Sequence, residues 1–294
     1  MDRKAFRQKD IERIHQLCLL DDTFMKVVLK DNIPGVQDIV RILLGQDDIE
    51  VLEVRVQDEW QNLVGHSVRL DVTARDASGR YYNIEVQRAP DGANAKRARY
   101  NVGALDWHIL PAGQDYDALP EVYVIFITET DVLGRGLPIY TINRVIEETG
   151  EPFQDDAHIL YANASYQGDD AVGKLMADFR EKDPRRMNHA SLAKVAGFYK
   201  NTEGGMHSMC QIMEEVRAEG RAEGRAEGRA EGRAEGVEFG IKKGRAEGRA
   251  EGRAEMIRAL LMSNAEDILL HGKQFAGLGI TAEEIKTAKN QYRQ

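Results

Sequence analysis

Asp71, Glu85 and Gln87 are the residues whose types and spacing could do chemistry in this chain. They fall in two alternating segments, 67–75 and 80–87, joined by Asp76-Ala-Ser-Gly79, which has the composition of a hairpin turn. In the first segment Val68, Leu70, Val72 and Ala74 share one face, and Arg69, Asp71, Thr73 and Arg75 the other. In the second, Tyr82, Ile84 and Val86 alternate with Asn83, Glu85 and Gln87. The hairpin thereby places Asp71, Glu85 and Gln87 on one face of adjacent strands. Asp and Glu are poor strand formers, yet here they sit in runs expected to be central. Two carboxylates a few ångströms apart repel unless positive charge lies between them. A hard divalent cation, Mg²⁺ or Mn²⁺, supplies that charge through oxygen ligands, and the backbone carbonyl of Glu85 or Val86 adds another. Such an ion activates bound water and stabilises charge growing on a phosphoryl group, which is the chemistry of phosphodiester cleavage. The same alternation also describes a sheet that shows a polar face to water, and spacing alone leaves both readings open.

The surrounding pattern is mixed α/β. Residues 10–30 are mostly helical, with Ile11, Ile14, Leu17, Phe24, Val27 and Val28 as an apolar stripe, interrupted and recapped at Asp21-Asp22-Thr23. A further helix is expected over 36–44, ended by Gly45, and a strand over 49–57. After the hairpin, 93–110 has helical periodicity, 121–128 is the dense apolar run of a buried strand, and 158–163 is another strand. Segments 169–179 and 190–199 read as helices. Trp60, Trp107 and Tyr123 are expected as packing residues, and Gly134-Arg-Gly136 as a turn after Asp131.

Composition changes near Met213. Arg-Ala-Glu-Gly repeats five times from Arg217 to Gly236, is interrupted over 237–244, and resumes until Glu255. With ten basic and nine acidic residues across 217–255, this tract is neither a basic arm nor an acidic tail. A four-residue unit drifts about 40° per repeat around a helix, so no apolar face persists, and each Gly costs about 1 kcal/mol against Ala. The expectation is a long, exposed, marginal helix or linker, with self-association as a coiled coil in a homo-oligomer as the competing reading. Segments 256–262 and 265–270 are apolar enough for a small helical end piece, and Thr281-Ala-Glu-Glu284 has the form of a capping box.

The chain of 294 residues has 40 Lys and Arg against 49 Asp and Glu, a net charge of −9. Non-specific polyanion binders are usually basic, so any nucleic-acid contact must be local or helped by a metal ion. Cys18 and Cys210 form no paired motif, the seven histidines form no ligand motif, and no signal peptide or membrane span is evident. The expected location is cytoplasmic.

The segment from Arg69 to Gln87 resembles the core of the PD-(D/E)XK nuclease superfamily, and more closely the PD-(D/E)XK nuclease family transposases, or Rpn-type recombination-promoting nucleases. Leu19-Leu-Asp-Asp-Thr-Phe-Met-Lys26 is similar to that family's opening helix motif, and Arg97-Ala-Arg-Tyr100 stands where the family has a basic, aromatic helix. The resemblance covers roughly residues 20–163 and implies a restriction-endonuclease-like core, a mixed central sheet flanked by helices. Helical segments and a long repetitive C-terminal helix follow it. The corresponding division is 1–165 nuclease-like, 166–213 accessory helices, 214–256 repeat helix or linker and 257–294 a small helical segment. The resemblance makes Asp71 and Glu85 catalytic carboxylates and metal ligands, with the Val86 carbonyl. Gln87 occupies the place of the superfamily's Lys, and either Asp21 or Asp22 matches the acidic residue of the first helix. Gln positions water or phosphate only through neutral hydrogen bonds, so the general base stays unassigned. Arg88, Lys96, Arg97, Arg99 and Tyr100 become phosphate contacts, with an ordinary basic face as the alternative. The implied function is a Mg²⁺-dependent DNA endonuclease tied to recombination or mobile elements; the competing reading is an inactive nuclease fold used for DNA binding or assembly.

Overall fold

The computed structural model describes residues 8–60, 68–262, 279 and 281–291. The chain divides into two units, Met1–Glu215 and Val216–Gln294. In the first, three helices, α1 (Gln8–Gln16), α2 (Asp22–Leu29) and α3 (Ile33–Leu44), precede three strands, β1 (Val51–Trp60), β2 (Val68–Asp76) and β3 (Tyr81–Gln87). Helix α4 (Ala95–Ile109) leads to β4 (Val122–Thr128), β5 (Ile139–Ile142) and β6 (Ala157–Asn163), followed by α5 (Ala171–Arg180) and α6 (Ala190–Asn201). The six strands form one sheet in the order β1-β2-β3-β4-β6-β5. The β1–β2, β2–β3 and β5–β6 pairs are antiparallel, whereas β3–β4 and β4–β6 are parallel. This is the mixed sheet with flanking helices of a restriction-endonuclease-like α/β fold.

The core has two layers, one on each face of the sheet. Helices α1, α2, α3, α5 and α6 pack over Val72, Ala74, Tyr82, Ile84, Val86, Ile125 and Ile127. Helix α4 packs through Ala98, Val102 and Leu105 over Leu70, Val124 and Phe126. Every residue of β4 is buried, as its unbroken apolar run requires of a strand covered on both faces.

Leu70 corrects the expected alternation. It lies with α4, while Val72 and Ala74 lie on the opposite face. The β2–β3 register runs from Arg75↔Tyr81 to Val72↔Ile84. Beyond that pair the ladder no longer holds the pleat, and strict period two fails with it. The side chain of Val68, like that of Trp60, lies outside the described residues. Trp107 is a second correction: it is 58% exposed on α4, because the buried stripe of this helix is Ala98, Asn101, Val102 and Leu105. Tyr123 is buried as expected and stacks on Tyr82. Edge strand β5 was not expected; its four half-buried or exposed residues carry no period-two signal. The turn before it is organised by Asp131, which accepts from the backbone N–H of Leu133, Gly134 and Gly136.

Two polar side chains set the frame for the central hairpin and α2. Asp76, at the end of β2, is 1% exposed and accepts from Ser78 Oγ (2.7 Å), Arg80 N (2.9 Å), Arg80 Nε (2.8 Å) and Tyr82 OH (2.8 Å). Those bonds close the turn and fix the register that leads Asp71 toward Glu85. Asn32 caps α3 by accepting from Gly35 N (3.1 Å), and donates to Val28 O and Ser191 O (3.1 Å each), tying α2, α3 and α6 together. A Cβ on Gly35 would lie 2.5 Å from Asn32 Nδ2, so this contact needs Gly. Gly45 ends α3 at φ 64°, the left-handed conformation that Gly adopts without strain.

Helix α7 (Glu203–Met262) starts in the first unit, where Met209 joins the core, and runs on into the second. The described side chains of its repeat tract are exposed from Ala218 onward, as expected of a unit without an apolar face. In the second unit α8 (Ala282–Gln291) opens with the expected capping box: Glu284 Oε2 accepts from Thr281 N (2.9 Å), and Glu284 N donates to Thr281 Oγ1 (3.4 Å). Segment 265–270 lies outside the described residues. Among those residues no helix is long and apolar enough to cross a membrane.

Burial raises the pKa of Asp76, but its hydrogen bonds to Ser78, Tyr82 and Arg80 outweigh that and hold it below the usual carboxylate range. The stability it contributes is present above the unfolded-state pKa of about 4 and is lost as pH falls through the lower folded value. Asp76→Ala is expected to cost about 3 kcal/mol at pH 7 in urea unfolding, with the deficit shrinking below pH 4; an unchanged urea midpoint would show that the turn holds without this carboxylate.

Candidate active site

Four elements meet where β2 leaves β3. Strand β2 brings Asp71, β3 brings Glu85 and Gln87, α2 brings Asp22 and Lys26, and α4 brings Arg97. Asp71 and Glu85 are in direct contact, because the backbone N–H of Asp71 donates to Glu85 Oε1 at 3.2 Å. Glu85 is 0% exposed. Its Oε1 also accepts from Asn83 Nδ2 (3.1 Å), and its Oε2 is paired with Arg97 (2.9 Å). Asn101 on α4 braces Asn83 in turn (3.3 Å). On the other side, Asp71 Oδ1 lies 2.7 Å from Lys26 Nζ, and the same ammonium lies 2.8 Å from Asp22 Oδ2. Asp71 thus stands between a cation on the α2 side of the sheet and a carboxylate braced from the α4 side.

The electrostatics follow from burial. Burial raises the Glu85 pKa and the neighbouring Asp71 raises it further; Asn83 and Arg97 oppose this, and the result is pushed up to about 7. Asp71 is also raised: burial outweighs the attraction of Lys26, and Asp22 adds repulsion. Lys26 loses solvation as well, but Asp71 and Asp22 hold its pKa above the ordinary lysine value. The structure therefore brings together two carboxylates that are costly to ionise and two protein cations that offset them.

The two acidic residues at the start of α2 are now distinct. Asp22 reaches the cluster through Lys26. Asp21 instead accepts from Cys18 N (2.8 Å) and pairs with Arg88 (3.2 Å), whose Nε also donates to Leu20 O (3.2 Å). Of the basic residues singled out by sequence, Arg88 and Arg97 are thus engaged within the protein, while Lys96, Arg99 and Tyr100 are exposed. The Gln87 amide lies against Gly92, where a Cβ would be 2.0 Å from its oxygen; among the described residues it makes no side-chain hydrogen bond. Gln87 O accepts from Glu129 N on the β4 side. Strand alternation therefore turns the Val86 carbonyl toward β2, past the last β2–β3 register pair.

Lys26, Asn83 and Asn101 contact the cluster, though the sequence reading gave none of them a role in it. The signals were the i,i+4 spacing of Asp22 and Lys26, and the shared parity of Asn83 and Glu85. Asn101 carried none, because only packing sets its place on α4.

The donor set fits a hard divalent ion. It consists of carboxylate and carbonyl oxygens, and a cation, the Lys26 ammonium, already bridges Asp22 and Asp71. Among the described residues no group of three or more His, Cys, Asp and Glu side chains is placed to hold a metal. Two carboxylates would therefore have to be completed by backbone, solvent or substrate oxygens.

Residues 36–166 match the family model of PD-(D/E)XK nuclease family transposases. The resemblance read from the sequence is borne out over those residues, which include Asp71, Glu85, Gln87 and α4 but not Asp21, Asp22 or Lys26. No curated protein and no solved structure gives a significant match.

Glu85 protonates more readily folded than unfolded, so the ion-free protein is expected to lose stability as pH rises from about 4.5 to about 7, where the folded state releases that proton. Glu85→Gln keeps the shape and removes the titration. In urea unfolding with EDTA the variant should gain about 1–3 kcal/mol on the wild type between pH 5 and pH 8; parallel pH profiles would mean that Arg97 keeps Glu85 ionised throughout.

Proposed function

We propose that this chain is a metal-dependent DNA endonuclease that hydrolyses phosphodiester bonds and acts in recombination or in mobile elements. The observation that carries this reading is the contact between Asp71 and Glu85 just past the last β2–β3 register pair, inside the span that matches the nuclease family. Asp71 and Glu85, with the Val86 carbonyl, hold the ion, Mg²⁺ with Mn²⁺ as a substitute. When bound, the ion lowers the pKa of water and offsets charge growing on the phosphoryl group. Gln87 orients water or phosphate through its amide. Lys26 supplies from α2 the positive charge that a Lys at position 87 would have carried, and with Asp22 it keeps Asp71 aimed into the site. Arg97 holds Glu85 in place, while Lys96, Arg99 and Tyr100 present the outer face of α4 to neighbouring phosphates, which position a duplex without reading its sequence. In this reading 1–165 is the nuclease-like part, 166–213 its accessory helices, 214–256 the repeat helix and 257–294 a small helical end.

A second reading has its own support. Both carboxylates already carry a protein cation at ion-pair distance, so the fold is electrostatically satisfied without metal and would serve as an inactive DNA-binding or assembly protein. The repeat interruption offers exposed Val237 and Ile241, four residues apart on one side of α7, for assembly into a homo-oligomer.

Plasmid nicking with Mg²⁺ or Mn²⁺ separates the two. Wild type is expected to nick, and Asp71→Ala and Glu85→Ala to lose at least about 10³-fold, the scale of removing transition-state electrostatics. Nicking that survives both substitutions sinks the assignment. DNA binding indifferent to EDTA, with no turnover on any substrate, selects the second reading. Arg99→Ala should weaken DNA binding and reduce the slope of log K against log salt by about one.

A further inference from the structure

A cavity of about 590 Å³ lies away from the carboxylate cluster, between the end of α1, the end of α5 and the turn Pro184–Arg186. Its volume is that of a small-molecule site. What marks it is the bookkeeping of its charges. Asp183 is satisfied within its own turn by the Arg185 guanidinium (2.7 Å) and by Arg185 N (3.1 Å). Glu181 Oε1 accepts from two backbone N–H groups, those of Lys182 and Asp183 (2.8 Å each). The remaining cations have neutral partners. Arg180 donates to the carbonyls of Ala164 and Tyr166, and Lys182 to the Gln16 amide oxygen (2.9 Å). Arg186 makes no side-chain hydrogen bond among the described residues, and its attraction to Asp183 acts without direct contact.

Behind the wall sits a fourth such cation. Lys200 is 1% exposed, and its ammonium is held by the carbonyls of His15, Leu17 and Lys182, with no carboxylate in contact among the described residues. His15 and Lys182 are themselves part of the cavity wall. Burial pulls the Lys200 pKa down to about 8 against the attraction of more distant acids. A buried ammonium is costly unless paired, and here an anion in the cavity would offset it. Counting the wall residues Arg180, Lys182, Arg185 and Arg186 against Glu181 and Asp183, the site carries two excess positive charges in a chain whose net charge is −9, with the buried Lys200 behind the wall.

We infer that this cavity is a binding site for a phosphate-bearing ligand, held by Arg180, Lys182 and Arg186. Guanidinium groups bind phosphate oxygens in bidentate fashion, and two excess charges match a multiply charged anion better than a single carboxylate. His15 and Asn201, on the rim, supply further donors. The phosphate comes from one of two sources, a free pyrophosphate-like compound or the 5′-phosphate end of a nucleic acid. The site is independent of the metal-dependent reading of Asp71 and Glu85.

The test is isothermal titration of the full chain, in EDTA and at low salt, so that no metal at the carboxylate cluster contributes. The probes are inorganic pyrophosphate and one oligonucleotide with and without its 5′-phosphate. Saturable binding of pyrophosphate, or a preference of at least fivefold for the phosphorylated oligonucleotide, is expected, and the probe that binds identifies the source. Lys182→Ala/Arg186→Ala, which removes two exposed side chains from the rim, should weaken that binding at least tenfold. Two outcomes overturn the site: no saturation by pyrophosphate up to millimolar concentration with no 5′-phosphate preference, or unchanged affinity in the double variant.

Discussion

Two buried carboxylates in contact repel, and the fold around them is arranged to make that contact tolerable. Asp71 and Glu85 meet where β2 stops pairing with β3, and each is compensated from a different layer: Asp71 by Lys26 on α2, Glu85 by Arg97 on α4. The Asp76 turn fixes the hairpin, Asn32 fixes α2 against α3 and α6, and Asn101 braces Asn83 beside Glu85. Removing either cation would leave a buried like-charge pair, a far larger penalty than the loss of a surface ion pair.

In the proposed nuclease reading, the distribution of positive charge also accounts for Gln at position 87. The strand position that would carry a Lys is neutral, and its amide rests against Gly92. The cation of the cluster comes instead from a helix that precedes the sheet in sequence. The exposed basic residues of α4 lie on the helix that carries Arg97, so one helix holds both the buried charge and a basic surface. An acidic chain can present such a surface because the field that matters is local.

Much of the architecture was legible as pattern. The buried run of β4, the Gly45 stop of α3, the Asp76–Gly79 turn and the Thr281–Glu284 capping box rest on local physics: burial, backbone conformation and short-range hydrogen bonds. Pattern failed where tertiary contacts overrode it. Leu70 left the parity of its strand at the end of a ladder, Trp107 lay on the exposed side of its helix, and β5 formed as an edge strand with no alternation to announce it.

The sequence by itself determined that the segments carrying Asp71 and Glu85 would pair, since hairpin spacing and a turn motif are local properties, and that the repeat tract would have no face to bury; the single shared face expected for the two residues gave way where Leu70 turns to α4. Only the tertiary structure decided which side chains neutralise the pair. Lys26 and Arg97 lie 45 and 12 residues from their partners in sequence, and no periodicity relates them. It also separated Asp22 from Asp21 and collected Arg180, Lys182 and Arg186 around one cavity. Pairing of charges across layers depends on how helices dock on a sheet, and docking is set by the summed packing of the core rather than by any segment alone.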